Sequence, residues 1–294
     1  MIAIKSFQAL YVYFTHYQQY RTVEEYLVDH YFSGFSVVAM ICLCAYLISS
    51  KNWPLRLLIV TSMAAVGLAY IFNDRRTSYV GVAFGLAVLP TLLPFKLIKK
   101  YMLHGLALAT ALLVFTIASW NIEGPIGFIG NTYRSFGAET GLEEPSYRDL
   151  ENANLLHAVS QNPSAGLGYG KEFEEVFPMP DISFVYARYR MIPHNLFLAT
   201  WAFGGPLTMA ALSALFVTMI ASAGKLLQKS REPGIFLLGV VSLFYFLQYF
   251  TYTFGDLGFQ IQRNQMMAGL LLGACFRIYG MLDEEIKDKE SSWL

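Results

Sequence analysis

Residues 234–254 read GIFLLGVVSLFYFLQYFTYTF, a stretch without one charged side chain. At about 1.5 Å of rise per residue, a helix of that length reaches across a hydrocarbon core roughly 30 Å thick. A backbone placed there has no water to bond to and must close its own hydrogen bonds, which a helix does. Further apolar runs of the same kind lie at 33–50, 57–73, 78–95, 102–120, 195–223 and 264–282. The composition agrees: 55% hydrophobic and 14% charged residues among 294 leave too little polar surface to coat a soluble globule of this size. The expected fold class is therefore all-α, a polytopic transmembrane helical bundle. A formal net charge of zero removes the basic surface that a nucleic-acid partner would require.

The runs divide the chain. Residues 1–32 hold an aromatic but interrupted segment, expected as a partial or interfacial helix. Residues 33–120 carry four spans, 121–193 a long polar loop, 194–282 three more spans, and 283–294 a charged tail. Lys51 with Arg56, then Lys96, Lys99 and Lys100, then Lys225, Lys229 and Arg231 mark loops that span counting puts on one face. Basic loops mark the cytoplasmic side, so residues 121–193, 253–263 and the turn from Asn73 to Thr77 are expected on the extracytoplasmic face, with the tail inside. Cys42, Cys44 and Cys275 fall within apolar runs and suggest neither a disulfide framework nor a metal cage. The amino terminus lacks the ordered features of a removable signal peptide. Within the long loop, 149–161 has helix-forming content. Leu155, Leu156 and Val159 are expected on one side, with Asp149, Glu151 and Asn154 largely elsewhere, as in a short helix lying at the membrane surface.

Three groups of residues on that outer face could carry chemistry. Asn162-Pro163 followed by Gly166, Gly168, Tyr169 and Gly170 breaks regular structure and lets backbone amides approach a ligand or another helix. No strand precedes it, so it is not a dinucleotide fingerprint. His194-Asn195 stands where the loop re-enters the membrane. Asn195 can cap the span. His194 is either an amphipathic residue with its tip in water or a base, since imidazole with an unperturbed pKa of about 6.5 accepts a proton near neutral pH. Arg75 and Arg76 stand at the outer end of a span, where topology disfavours positive charge, and Arg148 opens the surface helix at the end its dipole disfavours. A guanidinium binds phosphate oxygens in a fork, which suits a pyrophosphate, although pairing with lipid phosphate or solvation answers equally. Glu139, Glu143, Glu144, Glu172, Glu174 and Glu175 read as solvated loop surface, and no metal or cofactor is expected.

Taken in order, NDRRTSYVG at 73–81, Arg148 fifteen positions before Pro163, NPSAGLGYG at 162–170 and HNLFLATWAFGGPL at 194–207 resemble the bacterial O-antigen ligase and polysaccharide polymerase family. The resemblance covers roughly residues 55–225. It implies a membrane glycosyltransferase of the GT-C type in the bacterial inner membrane. Such an enzyme takes a glycan from a polyprenyl pyrophosphate donor to the hydroxyl of a lipid or glycan acceptor, among membrane lipids, without a metal. By resemblance the catalytic residues are His194, Arg148 and Arg76, with Arg75, Gly166, Gly168, Tyr169, Gly170 and Asn195 at the substrate. The chain departs from the family at Asn152, where an aromatic residue is frequent, and in having seven or eight spans rather than ten or more. The competing class is a transporter or flippase for lipid or sugar.

Overall fold

A computed structural model describes residues 1–16, 30–73, 75–93, 110, 114, 117–118, 146–184, 187–230, 232–255 and 261–291. At His30, Tyr31, Arg76 and 285–291 it describes the backbone alone. The described elements are α1 (Ile2–Thr15), α2 (His30–Ser49), α3 (Trp53–Phe72), α4 (Arg76–Leu92), α5 (Tyr147–Gln161), α6 (Leu196–Lys229), α7 (Pro233–Gly255) and α8 (Gln262–Ser291). All are helical. Five contain segments long and apolar enough to cross a membrane, in α2, α3, α6, α7 and α8, and Thr77–Leu92 of α4 is a shorter apolar one. The chain is a multi-pass membrane protein. The span expected at 102–120 lies almost wholly outside the described residues, and so do the loop positions 121–145.

The run that opened the sequence reading becomes the centre of the bundle. α7 buries side chains around its whole circumference over 241–249, from Val241 to Tyr249, and packs against α2, α4, α6 and α8. Within a bilayer the lipid is as apolar as the helices, so close packing and polar bonds hold helices together rather than exclusion of water. Small residues supply the closeness. A Cβ added to Gly81 of α4 would stand 2.8 Å from the Gln248 Cα, and one added to Gly85 would stand 2.7 Å from the Phe244 ring. Gly81 and Gly85 are four residues apart, the spacing that lets two helices touch backbone to backbone.

Polar bonds gather near one end of this bundle. Gln248 donates through Nε2 to the Ser78 hydroxyl, which shares a second bond of 2.7 Å with the Tyr70 hydroxyl. Thr251 donates to the Thr77 carbonyl at 3.3 Å, Asn73 to Ser33 at 2.9 Å, and Tyr245 to the Asn264 carbonyl at 3.2 Å. Phe197, in the first turn of α6, stacks on Phe254 of α7 at 4.3 Å. These contacts bring the turn before α4 and the starts of α6 and α8 to the same end. α1 packs on α3 there, burying Ala9 and Leu10, with Tyr13 against Phe72 at 5.0 Å.

At that end stands a second cluster. Leu155, Ala158 and Val159 of α5 pack against Phe173, Met179 and Tyr189 of the irregular segment and against Ala199, Ala202 and Phe203 of α6. α5 is thus seated on the first turns of a membrane-spanning helix.

Candidate functional site

α5 begins two residues earlier than the apolar pattern predicts, because Ser146 caps it. The Ser146 hydroxyl accepts from the Asp149 backbone N–H at 3.4 Å, and the Asp149 carboxylate accepts from the Ser146 backbone N–H at 3.1 Å. This reciprocal box satisfies two amides that would otherwise lack partners. The buried face then runs Glu151, Asn154, Leu155, Ala158, Val159, the spacing of one helical stripe. Here the structure corrects the sequence expectation: Leu156 is 55% exposed, whereas Glu151 and Asn154 are buried. The polar pair goes inward because each meets a partner that only the tertiary fold supplies.

Asn154 holds the irregular segment. Its Nδ2 donates to the Phe177 carbonyl and its Oδ1 accepts from the Phe177 N–H, both at 2.8 Å. Glu151 holds the residue of chief interest. Its carboxylate accepts the backbone N–H of His194 at 2.9 Å and lies 3.2 Å from the ring Nδ1 through both oxygens. Glu151 is 1% exposed and the His194 side chain 19%. A carboxylate taken out of water is costly unless its lone pairs are used, and both His194 donors use them. The pairing assigns the Nδ1 proton toward Glu151, so the neutral ring carries its lone pair on Nε2. A base held by a carboxylate in this way has its ring orientation and tautomer fixed.

Tyr147, one turn before Glu151 on the same helix, sets its ring edge-on to His194 at 5.8 Å. Burial pushes the Tyr147 phenol above its usual range, and the charge of Glu151 pushes it further. It therefore stays protonated beside the histidine. Glu151 and Tyr147 are the two residues sequence reasoning missed. The Ser146–Asp149 box was a local signal for where α5 starts, and hence for its buried stripe. Nothing local links Glu151 to a histidine 43 positions away.

Asn195 caps α6 as the sequence suggests, its Oδ1 accepting from the Leu198 N–H at 3.1 Å. The helix then breaks at Gly205, whose φ of 76° lies in the left-handed region that favours glycine. Pro206 has no N–H to offer the Ala202 carbonyl one turn earlier. The glycine-rich segment repairs the break: Leu167 N–H donates to the Ala202 carbonyl and Gly168 N–H to the Phe203 carbonyl, each at 2.8 Å. Gly166 makes this approach possible, since a Cβ there would stand 2.5 Å from the Phe203 carbonyl carbon. Of the two partners the sequence left open for these amides, a ligand or a helix, Leu167 and Gly168 have the helix. Gly170 faces open space, and Tyr169 is 65% exposed with its ring 6.2 Å from that of Phe203.

The arginines fall in two places. Arg148 is exposed on the first turn of α5, three residues before Glu151. That spacing puts its Cβ about 5–6 Å from that of Glu151. Arg75 occupies the N-cap position of α4, half-buried, and Arg76 is the first helical residue. Thr77 next to them faces Gly255, and Phe254 beside it carries Phe197, three residues after His194. The structure thus pairs His194 with Glu151, places Arg148 one turn before that carboxylate on α5, and sets Arg75 and Arg76 at the same end of the bundle. No known family model matches the chain, and no curated protein or solved structure matches it.

Proposed function

We propose that this protein is a metal-independent glycosyltransferase of the GT-C type, of the O-antigen ligase or polysaccharide polymerase class. It would work on the extracytoplasmic face of the bacterial inner membrane, moving a glycan from polyprenyl pyrophosphate to an acceptor hydroxyl. The observation that carries this reading is the buried Glu151 carboxylate on His194 at the mouth of a helical bundle. The support is chemical. Polyprenyl pyrophosphate is already a good leaving group, so the reaction needs a base for the acceptor, positive charge for the departing oxygen and positioning of the two substrates.

In the proposed step, His194 Nε2 takes the proton of the acceptor hydroxyl while the acceptor oxygen bonds to the anomeric carbon. The bond from that carbon to the pyrophosphate oxygen breaks, and its electron pair leaves with polyprenyl pyrophosphate. The anomeric centre inverts. Arg148 of α5 and Arg76 at the turn meet the negative charge on the diphosphate, Arg75 beside them adding to the same field. Glu151 stabilises the imidazolium that forms.

The test is transfer of labelled glycan in membranes containing His194→Ala protein at normal abundance. Loss of transfer by roughly 10²- to 10⁴-fold is the expected result for removal of a general base; undiminished transfer discards the assignment. Mass analysis of glycans from cells with and without the gene separates the two acceptors. Loss of lipid attachment means ligase, and loss of chain length means polymerase.

The break in α6 favours a second reading, since transporters for lipid or sugar bind cargo at broken helices. There, however, freed carbonyls line a cavity, whereas here those of Ala202 and Phe203 accept from Leu167 and Gly168. Movement of lipid-linked glycan across vesicles without any transfer product would favour the transporter.

A further inference from the structure

A second group of charged residues lies beside the His194 centre. Arg190 donates through Nε to the Glu175 carboxylate at 2.6 Å and to the Tyr189 hydroxyl at 3.1 Å, and Tyr189 donates to the same Glu175 oxygen at 3.2 Å. This fixes the guanidinium by its inner edge. On the outer edge the nearest carboxylate, that of Glu172, stands 3.8 Å from a terminal nitrogen, beyond hydrogen-bond length. The Arg190 side chain is 42% exposed, and its terminal nitrogens make no hydrogen bond among the described residues.

We propose that Arg190 and Glu175 form a sugar-binding subsite, which recognises an uncharged sugar of the transferred glycan rather than its phosphate. The proposal rests on the glycosyl-transfer reading. Charge decides the ligand class. The guanidinium is already neutralised at 2.6 Å by Glu175, with Glu172 nearby, so it is a poor clamp for a diphosphate and repels a uronic acid no less. A sugar hydroxyl both donates and accepts, so neighbouring hydroxyls can take the N–H edge and the carboxylate oxygens together. Phe177, two residues on from Glu175, adds an apolar surface for the C–H face of a sugar ring. Phe177 is 47% exposed, and Asn154 holds both its backbone N–H and carbonyl. A backbone held in this way loses little freedom on binding. Tyr147 connects the two places, its ring at 5.8 Å from His194 and its hydroxyl under the charges of Glu175 and Arg190.

The test uses the full chain in detergent with three probes: chitotetraose and maltotetraose, both uncharged, and tetragalacturonate, which is charged. Saturation-transfer NMR reads binding, and thermal unfolding checks that each variant is folded. Saturation should reach at least one uncharged probe and not tetragalacturonate. Arg190→Gln and Glu175→Gln should each weaken that binding about tenfold or more, the value of one hydrogen bond to a charged group. Phe177→Ala, which leaves the ion pair alone, should weaken it too. Absence of binding by both uncharged probes, equal binding of tetragalacturonate, or unchanged binding by Arg190→Gln protein overturns the proposal. If instead Arg190→Gln abolishes probe binding while His194→Ala leaves transfer intact, the subsite stands and the transfer mechanism falls.

Discussion

α5 and α7 each bury polar side chains among apolar ones, α5 along one stripe and α7 around its whole circumference, and they do so for opposite ends. α7 lies in the bundle and buries Gln248, a neutral amide, against the Ser78 hydroxyl of α4. Uncharged partners of this sort join helices and ask little of their surroundings. α5 lies at the end of the bundle and buries Glu151, an ionisable group, against the two donors of His194. A charge so placed is weak evidence for stability, because its desolvation offsets most of its attraction. What it supplies is a fixed imidazole. The polar groups of α7 thus join helices, while the carboxylate of α5 fixes an imidazole.

The largest effect should come from Glu151→Gln. The amide still accepts the His194 backbone N–H, so the fold should survive, but its NH2 group opposes a protonated Nδ1 and turns the imidazole to the other tautomer. Glycosyl transfer in membranes should fall by roughly 10²- to 10⁴-fold at unchanged protein level, the scale of general-base catalysis. An activity within a factor of about two of the parent would reduce Glu151 to a packing residue. Next comes Asn154→Ala, which strands the Phe177 N–H and carbonyl at a cost of about 1–3 kcal/mol. The loss should be local. Hydrogen exchange should quicken around 173–182 and leave α7 protected, whereas equal deprotection of both would show that the two regions are one cooperative unit. The smallest effect belongs to Gln248→Leu. Bonds between membrane helices average about 0.6 kcal/mol, and Ser78 keeps Tyr70 as a partner. Unfolding in detergent should shift by less than about 1 kcal/mol; a loss several times larger would erase the distinction between the two helices.

The five spans in α2, α3, α6, α7 and α8 were legible because each is a long run of one chemical kind, and the bilayer leaves a helix as the only outcome. The Asn195 cap was legible too, since it is local backbone chemistry. The inward face of α5 was not. Glu151 and Asn154 were set largely away from the apolar side because an acid or amide is ordinarily exposed, and their partners come from other segments: a histidine 43 positions on and a loop backbone 23 positions on. Leu156 misled in the opposite direction, an apolar residue left outside the stripe. The glycine-rich segment was legible as an approach of backbone to something, and only the fold names α6 as that something. Of the centre around His194, the sequence singled out the histidine, while Glu151 and Tyr147 join it by tertiary contact alone.

The repaired break in α6 carries a mechanical consequence. Above Gly205 the first turns of α6 are bolted to 163–168 through the Ala202 and Phe203 carbonyls, and the Trp201 indole adds a third link to the Pro163 carbonyl at 3.1 Å. Below it the same helix packs along α7. The frontier between the cap that bears His194 and the bundle that sits in lipid therefore falls inside one continuous helix. Phe197 above Gly205 still stacks on Phe254 of α7, and Thr208 below it donates to the Thr200 carbonyl above, so the joint is braced from both sides.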